Sequence, residues 1–323
     1  MNHERIESSP SVTALGSADV HPVNVAPAVR RALDEHHPVV AMESTVYSTL
    51  GLPADAGAEA LERSRAACAE RGVTPAITAV VDGVAVVGLT DDDHDRLHAA
   101  TTKVAERDLP VALAQSVEFG ATTVSATVAL AALVGIGVFA TGGIGGVHRE
   151  VAETGDVSAD LDAIARHPVV TVCSGAKAFL DLPRTLEHLE RLSVPVLGWR
   201  TDEFPAFYAH TSGLRLAHRV ESAIEVAAVH QARRHLGGGG TVLAVPVPAG
   251  VGLDRAELDA MIDQAQRSAA RSGVVGPAIT PHVLAAIAGA TDGRAVAANV
   301  ELVVHNAEVA ADVAVALAAA PAP

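Results

Sequence analysis

Val169-Val-Thr-Val-Cys-Ser-Gly-Ala-Lys177-Ala-Phe-Leu-Asp181 places a strand, a turn and an amine in one short run. The apolar, β-branched residues 169–172 read as a buried strand. Ser174-Gly175 reads as a turn, with an amphipathic helix expected behind it. Strand, turn and helix in succession are the repeating unit of an α/β fold. A lysine at the positive end of that helix has its ammonium form disfavoured, and burial acts in the same direction. A neutral lysine is a nucleophile for a sugar or keto carbonyl, through a Schiff base. A solvated or ion-paired lysine is the other reading of Lys177.

The alternation extends outward in both directions. Helices are expected at residues 28–35 and 55–71, the second with Asp55 as N-cap and Gly72 as its stop. Strands are expected at 39–42, 76–81 and 84–89, the last two joined by Asp82-Gly83 as a hairpin. Thr90 and the three aspartates after it open a further helix. Residues 124–133 read as a helix and 138–141 as a strand, with more strands at 169–172 and 194–197. A helix at 220–236, a glycine loop at 237–240, a strand at 241–247 and a helix at 255–271 follow. Another helix starts at Thr280-Pro281, and an Ala-rich helix spans 307–319. This pattern predicts an α/β chain, a layered α/β/α arrangement with a mixed central sheet in a single domain. Residues 1–23 are expected to be a disordered tail, 24–319 the domain, and 320–323 a frayed end.

Composition narrows the function. The chain has 323 residues, 49% hydrophobic but only 2% aromatic, so Ala, Val and Leu must fill the core. Few rings remain to stack on bases, and a net charge of -15 repels polyphosphate backbones. No nucleic-acid partner is expected. Cys68 and Cys173 form no disulfide framework or metal-ligand spacing, which fits a reducing, cytoplasmic setting. Residues 126–147 are uncharged and about as long as a membrane span of ~20 residues, but six glycines interrupt the second half. A helix, a strand and a loop are expected there, with no membrane partner.

Five further segments carry chemistry, each with a structural alternative. In Val39-Val-Ala-Met-Glu43-Ser-Thr45 a carboxyl follows a buried strand, where a raised pKa would make it a proton donor; a turn-capping acid is the alternative. In Phe139-Ala-Thr-Gly142-Gly143-Ile-Gly145-Gly146-Val-His148-Arg149, glycine amides after a strand can cradle a phosphate, or form only a tight turn. Asp156, Ser158 and Asp160 can hold a hard cation through oxygen, or cap the helix that follows. Lys103 and Arg107 put two cations near a turn, ordinarily a solvated face. Four hydroxyls between Thr122 and Thr127 exceed what capping needs and suggest ligand contact. Ser174 and Lys177 also fit a Ser-x-x-Lys pattern, but its companion motifs are missing.

Together these segments resemble the pseudouridine-5′-phosphate glycosidase, or indigoidine synthase A-like, family. The matching blocks are VVAMEST (39–45), VTPAITAVVDG (73–83), TKVAERDLP (102–110), GATTVSAT (120–127), VFATGGIGGVHR (138–149), GDVSADL (155–161), VVTVCSGAKAFLDL (169–182), PAFYAHTS (205–212) and ANVELVVHNA (298–307). The resemblance implies reversible cleavage of the C-glycosidic bond of pseudouridine 5′-phosphate to uracil and ribose 5-phosphate. It implies Lys177 as the nucleophile at C1′, Glu43 as the proton donor, and Asp156 as a ligand of one Mn²⁺ per subunit. Lys103, Val124, Ser158, Ala159 and Asp160 map onto substrate contacts, and His148 and Asn299 lie in matching blocks as phosphate or sugar contacts. A homotrimer acting on a small-molecule substrate is also implied. The chemistry is coherent with these roles. A C-glycoside has no leaving oxygen to protonate, so a pair of carboxylates is insufficient. An iminium at C1′ offers an electron sink beside the bond that breaks, and an acid must protonate the departing uracil carbon.

The chain departs from the family pattern at residues 48–53 (Ser-Thr-Leu-Gly-Leu-Pro), at Glu150, at Val245 and at His305. These departures bear on base or sugar selectivity more than on reaction type. Two rival readings are another Schiff-base sugar-phosphate lyase, such as an aldolase, and a non-catalytic sugar-phosphate-binding protein.

Overall fold

A computed structural model describes residues 23–274 and 279–320. Its strands are β1 (Val23–Val25), β2 (Val39–Glu43), β3 (Thr74–Val81), β4 (Val84–Val87), β5 (Thr102–Val104), β6 (Phe119–Thr122), β7 (Val138–Ala140), β8 (Val170–Cys173), β9 (Val196–Trp199), β10 (His218–Val220) and β11 (Thr241–Ala244). The helices are α1 (Pro27–Asp34), α2 (Ala54–Ala69), α3 (His94–His98), α4 (Leu109–Ala114), α5 (Val124–Val134), α6 (Val151–Thr154), α7 (Ala159–Arg166), α8 (Leu182–Arg191), α9 (Ala223–His235), α10 (Arg255–Arg271), α11 (Ile279–Ala290) and α12 (Arg294–Ala319).

The strands form one mixed sheet in the order β1-β4-β3-β2-β7-β8-β11-β9-β10, with β6 paired to β3 and β5. Parallel pairing runs through the centre, and antiparallel pairing is confined to β3 with β4 and β3 with β6. The central strands are buried throughout, so their sequences read as continuous apolar runs. After β2 the chain places β3 on one side of it, and β7 later occupies the other side. Such a switch opens a crevice beyond the carboxyl ends of the strands. α5 packs over β2 and β7, and α12 packs against β2, β7 and β8 while carrying α2 and α9.

The layered α/β architecture expected from the sequence is present. The suspected membrane segment folds as α5, β7 and a loop. α12 has a span's length and apolarity, with a mean hydropathy of 1.5, but Leu302, Val303, Ala310 and Val313 are buried in the domain core.

Several local expectations are corrected. Asp55 lies within the first turn of α2 instead of capping it. Val220 ends β10, and α9 begins at Ala223 with Ser222 accepting the Glu225 amide at 3.3 Å. β11 stops at Ala244, because Pro246 and Pro248 have no N–H to continue a ladder. The helix expected at 307–319 is only the second half of α12, whose first half hides behind the polar residues Asn299, Glu301, His305 and Asn306. The helix expected at Thr280 is described from Ile279. Of the expected tails, residues 1–22 and 321–323 lie outside the described residues, while Val23 opens β1 and pairs with Ala85.

Candidate active site

Lys177 does not sit at a helix end. α8 begins at Leu182, with Asp181 accepting the Arg184 amide at 3.0 Å, so the field of that helix is not what acts on the amine. Residues 174–181 instead form a loop stitched to its neighbours. The Lys177 amide donates to the Ile144 carbonyl at 3.1 Å, and the Phe207 amide to the Ser174 carbonyl at 3.0 Å. Gly175 makes the turn possible. Its φ is +79°, and a Cβ there would lie 2.3 Å from the Pro205 carbonyl oxygen. Lys177 itself is half-buried.

Glu43 is the last residue of β2 and is 7% exposed. The strand end is clamped by hydroxyls. Thr122 donates its amide to Ser44 Oγ at 2.8 Å, and Thr45 Oγ1 donates to the Thr122 carbonyl at 2.7 Å. Burial pushes the Glu43 carboxyl up to about 7, against the opposing pull of the Lys177 ammonium and a hydrogen bond from Thr141 Oγ1. Near neutrality this carboxyl is half protonated.

Both residues line a cleft of about 360 Å³, together with Lys103, Val124, His148, Asp156, Ser158, Ala159 and Asp160. Glu43, Lys103 and Lys177 also line a smaller adjoining lobe of about 50 Å³, where Asn299 meets Leu50, Phe207 and Leu284. All ten residues singled out from the sequence therefore border one two-lobed cleft. Lys103 is exposed as a residue, yet its ammonium enters this cleft. Burial there and the neighbouring Lys177 push its pKa down, while Asp160 and Glu43 pull it back up.

Asp160 lines the cleft and also has a structural role. Its Oδ1 accepts the Ser125 amide and its Oδ2 the Gly145 amide, each at 2.9 Å. It thus joins the start of α5 to the glycine-rich loop. Gly145 must lack a side chain, because a Cβ would sit 2.1 Å from Ser158 Oγ. With the Gly145 amide on Asp160 and the Ile144 amide on the Gly175 carbonyl, two donors of the expected phosphate cradle are already engaged. The hydroxyl cluster divides likewise. Thr122 and Thr127 belong to a buried network with Thr78, leaving Thr123 and Ser125 on the cleft wall.

The acidic segment resolves in the same way. Ser158 caps α7 by accepting the Asp160 amide at 3.2 Å, and Asp160 is occupied by amides. The Asp156 carboxylate remains on the cleft, 3.7 Å from His148 Nε2. Among the described residues no three His, Cys, Asp or Glu side chains cluster as a metal site. One carboxylate suits a hard cation that keeps most of its ligands as water.

Three contributors escaped the sequence reading. Thr141, Phe207 and Leu284 all border the inner lobe. Thr141 had a signal, since it is the first residue beyond β7, where side chains face the crevice. Leu284 had none, because α11 is distant in the chain. Among the departures, His305 faces Glu308 at 3.2 Å, away from the chemistry. Its neighbour Asn306 donates to the Thr141 carbonyl at 2.8 Å and to Ser174 Oγ at 3.1 Å, holding the ends of β7 and β8 together. The departure at residues 48–53 does reach the site, through Leu50 and Gly51.

The family described as "Indigoidine synthase A like protein" matches residues 28–316. The chain belongs to this family. A pseudouridine-5′-phosphate glycosidase from Roseiflexus sp. is 49% identical over 301 residues, covering 92% of this chain and 96% of that protein. One from Caldanaerobacter subterraneus subsp. tengcongensis is 45% identical, covering 91% and 96%. Among solved structures, the prealnumycin C-glycosynthase AlnA in complex with ribulose 5-phosphate superposes with a TM-score of 0.85 at 35% identity, covering 92% of this chain and 97% of that one. An indigoidine synthase A-like protein from Thermotoga maritima gives a TM-score of 0.83 at 32% identity, covering 92% and 96%. The family match covers residues 28–316 and the relatives cover 91–92% of this chain, so the resemblance drawn from short sequence blocks holds along it.

Proposed function

We propose that this protein cleaves the C-glycosidic bond of pseudouridine 5′-phosphate reversibly, releasing uracil and ribose 5-phosphate through a lysine Schiff base. The observation that carries this reading is the shared cleft of Lys177 and Glu43, an amine beside a buried acid with a pKa about 7. The names of the relatives support the substrate, and the ribulose 5-phosphate held by AlnA supports a five-carbon sugar phosphate.

In this reading the Lys177 amine bonds to C1′ as the ring C1′–O4′ bond breaks, and the proton that the nitrogen then loses passes to O4′ as its hydroxyl. Glu43 then delivers its proton to C5 of the uracil. The C1′–C5 bond breaks with its electron pair left on the base, while the nitrogen lone pair forms the C=N bond. Water adds to this iminium, frees Lys177 and releases ribose 5-phosphate. The buried environment keeps Glu43 protonated at a pH where an exposed carboxyl is ionised. The inner lobe takes the base. Asn299 is 5% exposed, and its Oδ1 has no hydrogen-bond partner among the described residues, which suits an imide N–H.

A divalent cation, Mn²⁺ in this reading, would be held by Asp156 with water and substrate oxygens. It would supply a fixed positive charge for those oxygens. Homotrimeric assembly and a cytoplasmic location complete the proposal; light scattering at three times the mass of one chain tests the former.

The deciding experiment is uracil release from pseudouridine 5′-phosphate by the purified protein with Mn²⁺, followed by chromatography. Stoichiometric uracil and ribose 5-phosphate are expected. A folded protein that releases neither would refute the activity.

A further inference from the structure

The loop after β5 is fixed at every position but one. The Ala105 amide donates to Asp108 Oδ2 at 3.1 Å, and the Asp108 amide donates back to the Ala105 carbonyl at 2.9 Å. The Glu106 amide donates to Ser125 Oγ at 3.2 Å, and its carboxylate holds both Arg166 and His167 at the end of α7. Arg107, between these anchored residues, has a side chain 81% exposed at the cleft wall. Among the described residues its ion pair is a loose 3.4 Å approach to its own neighbour Asp108, whose other carboxylate oxygen is already engaged. A rigid backbone thus presents a guanidinium with most of its five donors open to the cleft.

The same wall carries Val124 and Ser125 at the start of α5, and Ser158 and Ala159 at the start of α7. One amide at each of these helix starts is taken, that of Ser125 by Asp160 and that of Asp160 by Ser158 Oγ, and the remaining positive ends favour an anion on that side. Among the described residues of that wall no other free full positive charge is present: Arg166 is bound to Glu106, and Lys103 reaches the inner lobe as well. On a chain of net charge -15, a dianionic substrate needs a local cation to be drawn in. An arginine fork also matches phosphate geometry better than a lysine does.

We propose that Arg107 is the phosphate-recognition residue at the cleft mouth, making a charge-assisted contact to the terminal phosphate of the sugar that Lys177 attacks. This rests on the Proposed function for the identity of the sugar phosphate, but not for the contact itself. Arg107 binds and steers; it takes no part in proton transfer.

The test compares wild type with Arg107→Ala, Arg107→Lys and Arg107→Glu, on pseudouridine 5′-phosphate and on unphosphorylated pseudouridine. Because the side chain is largely in solvent, all three variants should fold like wild type by circular dichroism. Arg107→Ala should raise KM for the phosphorylated substrate about tenfold, the loss of one charge-assisted contact, with kcat within about twofold. Arg107→Glu should raise it further, and Arg107→Lys should recover part of the loss. Unphosphorylated pseudouridine should be indifferent to all three. Unchanged KM in both Arg107→Ala and Arg107→Glu would overturn the assignment, and so would an equal loss on the unphosphorylated substrate. Should the wild-type protein release no uracil, the activity reading falls alone. Calorimetry with ribose 5-phosphate, weaker for Arg107→Ala than for wild type, or equal for both, then decides the contact.

Discussion

Thr141, the first residue beyond β7, donates its hydroxyl to the carboxyl of Glu43 at the end of β2. Two adjacent parallel strands thereby set the protonation of one buried acid. The hydrogen bond favours the ionised form and holds down a pKa that burial has raised to about 7. If the acid form is the working form, kcat/KM should fall as pH rises through about 7. Thr141→Val should move that descending limb to higher pH. A limb that stays in place, measured as a full pH–rate profile, would detach Thr141 from the tuning of Glu43.

Replacing Glu43 should separate function from stability. The folded carboxyl titrates near 7 against a reference of 4.5, so between those values the folded state holds a proton that the unfolded chain has released. Wild-type stability should therefore decline from pH 4.5 to 7. A shift of that size corresponds to roughly 3 kcal/mol. Glu43→Gln should stop uracil release, and its stability relative to wild type should improve by up to about that amount between pH 5 and pH 8. Urea melts at the two pH values measure it; parallel stability curves would contradict the buried-acid picture.

Lys177→Ala should eliminate turnover. Retention of more than about a tenth of wild-type rate would rule out a covalent role. Borohydride added to wild type with ribose 5-phosphate should leave a stable adduct on the peptide containing Lys177, visible by mass spectrometry and absent from the variant.

Asp160→Asn should act through structure and charge together. Its carboxylate accepts two backbone amides, from Ser125 and Gly145, and replacing a charged acceptor by a neutral one should cost on the order of 2 kcal/mol. Asp160 also raises the pKa of Glu43, so the descending limb of the variant's pH profile should move to lower pH. Lost stability with an unmoved limb would confine Asp160 to holding the loop.

Chelation should reduce activity and Mn²⁺ should restore it, with Asp156→Ala requiring far more metal for the same recovery. Activity indifferent to chelator would remove Asp156 from the metal role.

Much of this architecture was legible because each central strand is a short apolar run closed by a glycine or a hydroxyl, as at Glu43-Ser44 and Ser174-Gly175. The cleft residues were legible because they cluster just past those runs. Three things were not. Lys177 looked like a helix-end residue because the turn before it is local, whereas the long-range bonds to Ile144 and Phe207 that keep the loop open are not. In the glycine-rich segment, read as a phosphate cradle or a tight turn, nothing local reveals that Asp160 and Gly175 take two of its amides. The inner lobe depends on Leu284 and Phe207, which reach Glu43 only through the packing of α11 and the loop after β9.

The stitch made by Asn306 has a consequence for biosynthesis. Thr141 and Ser174, whose strand ends frame the cleft, are held together by a side chain on the last helix. Until the ribosome has delivered α12, those strand ends lack their brace and the inner lobe lacks Asn299. Under the proposed mechanism, a chain stopped before Arg294 should therefore give no borohydride-trapped product with ribose 5-phosphate, while the chain that carries α12 should give one.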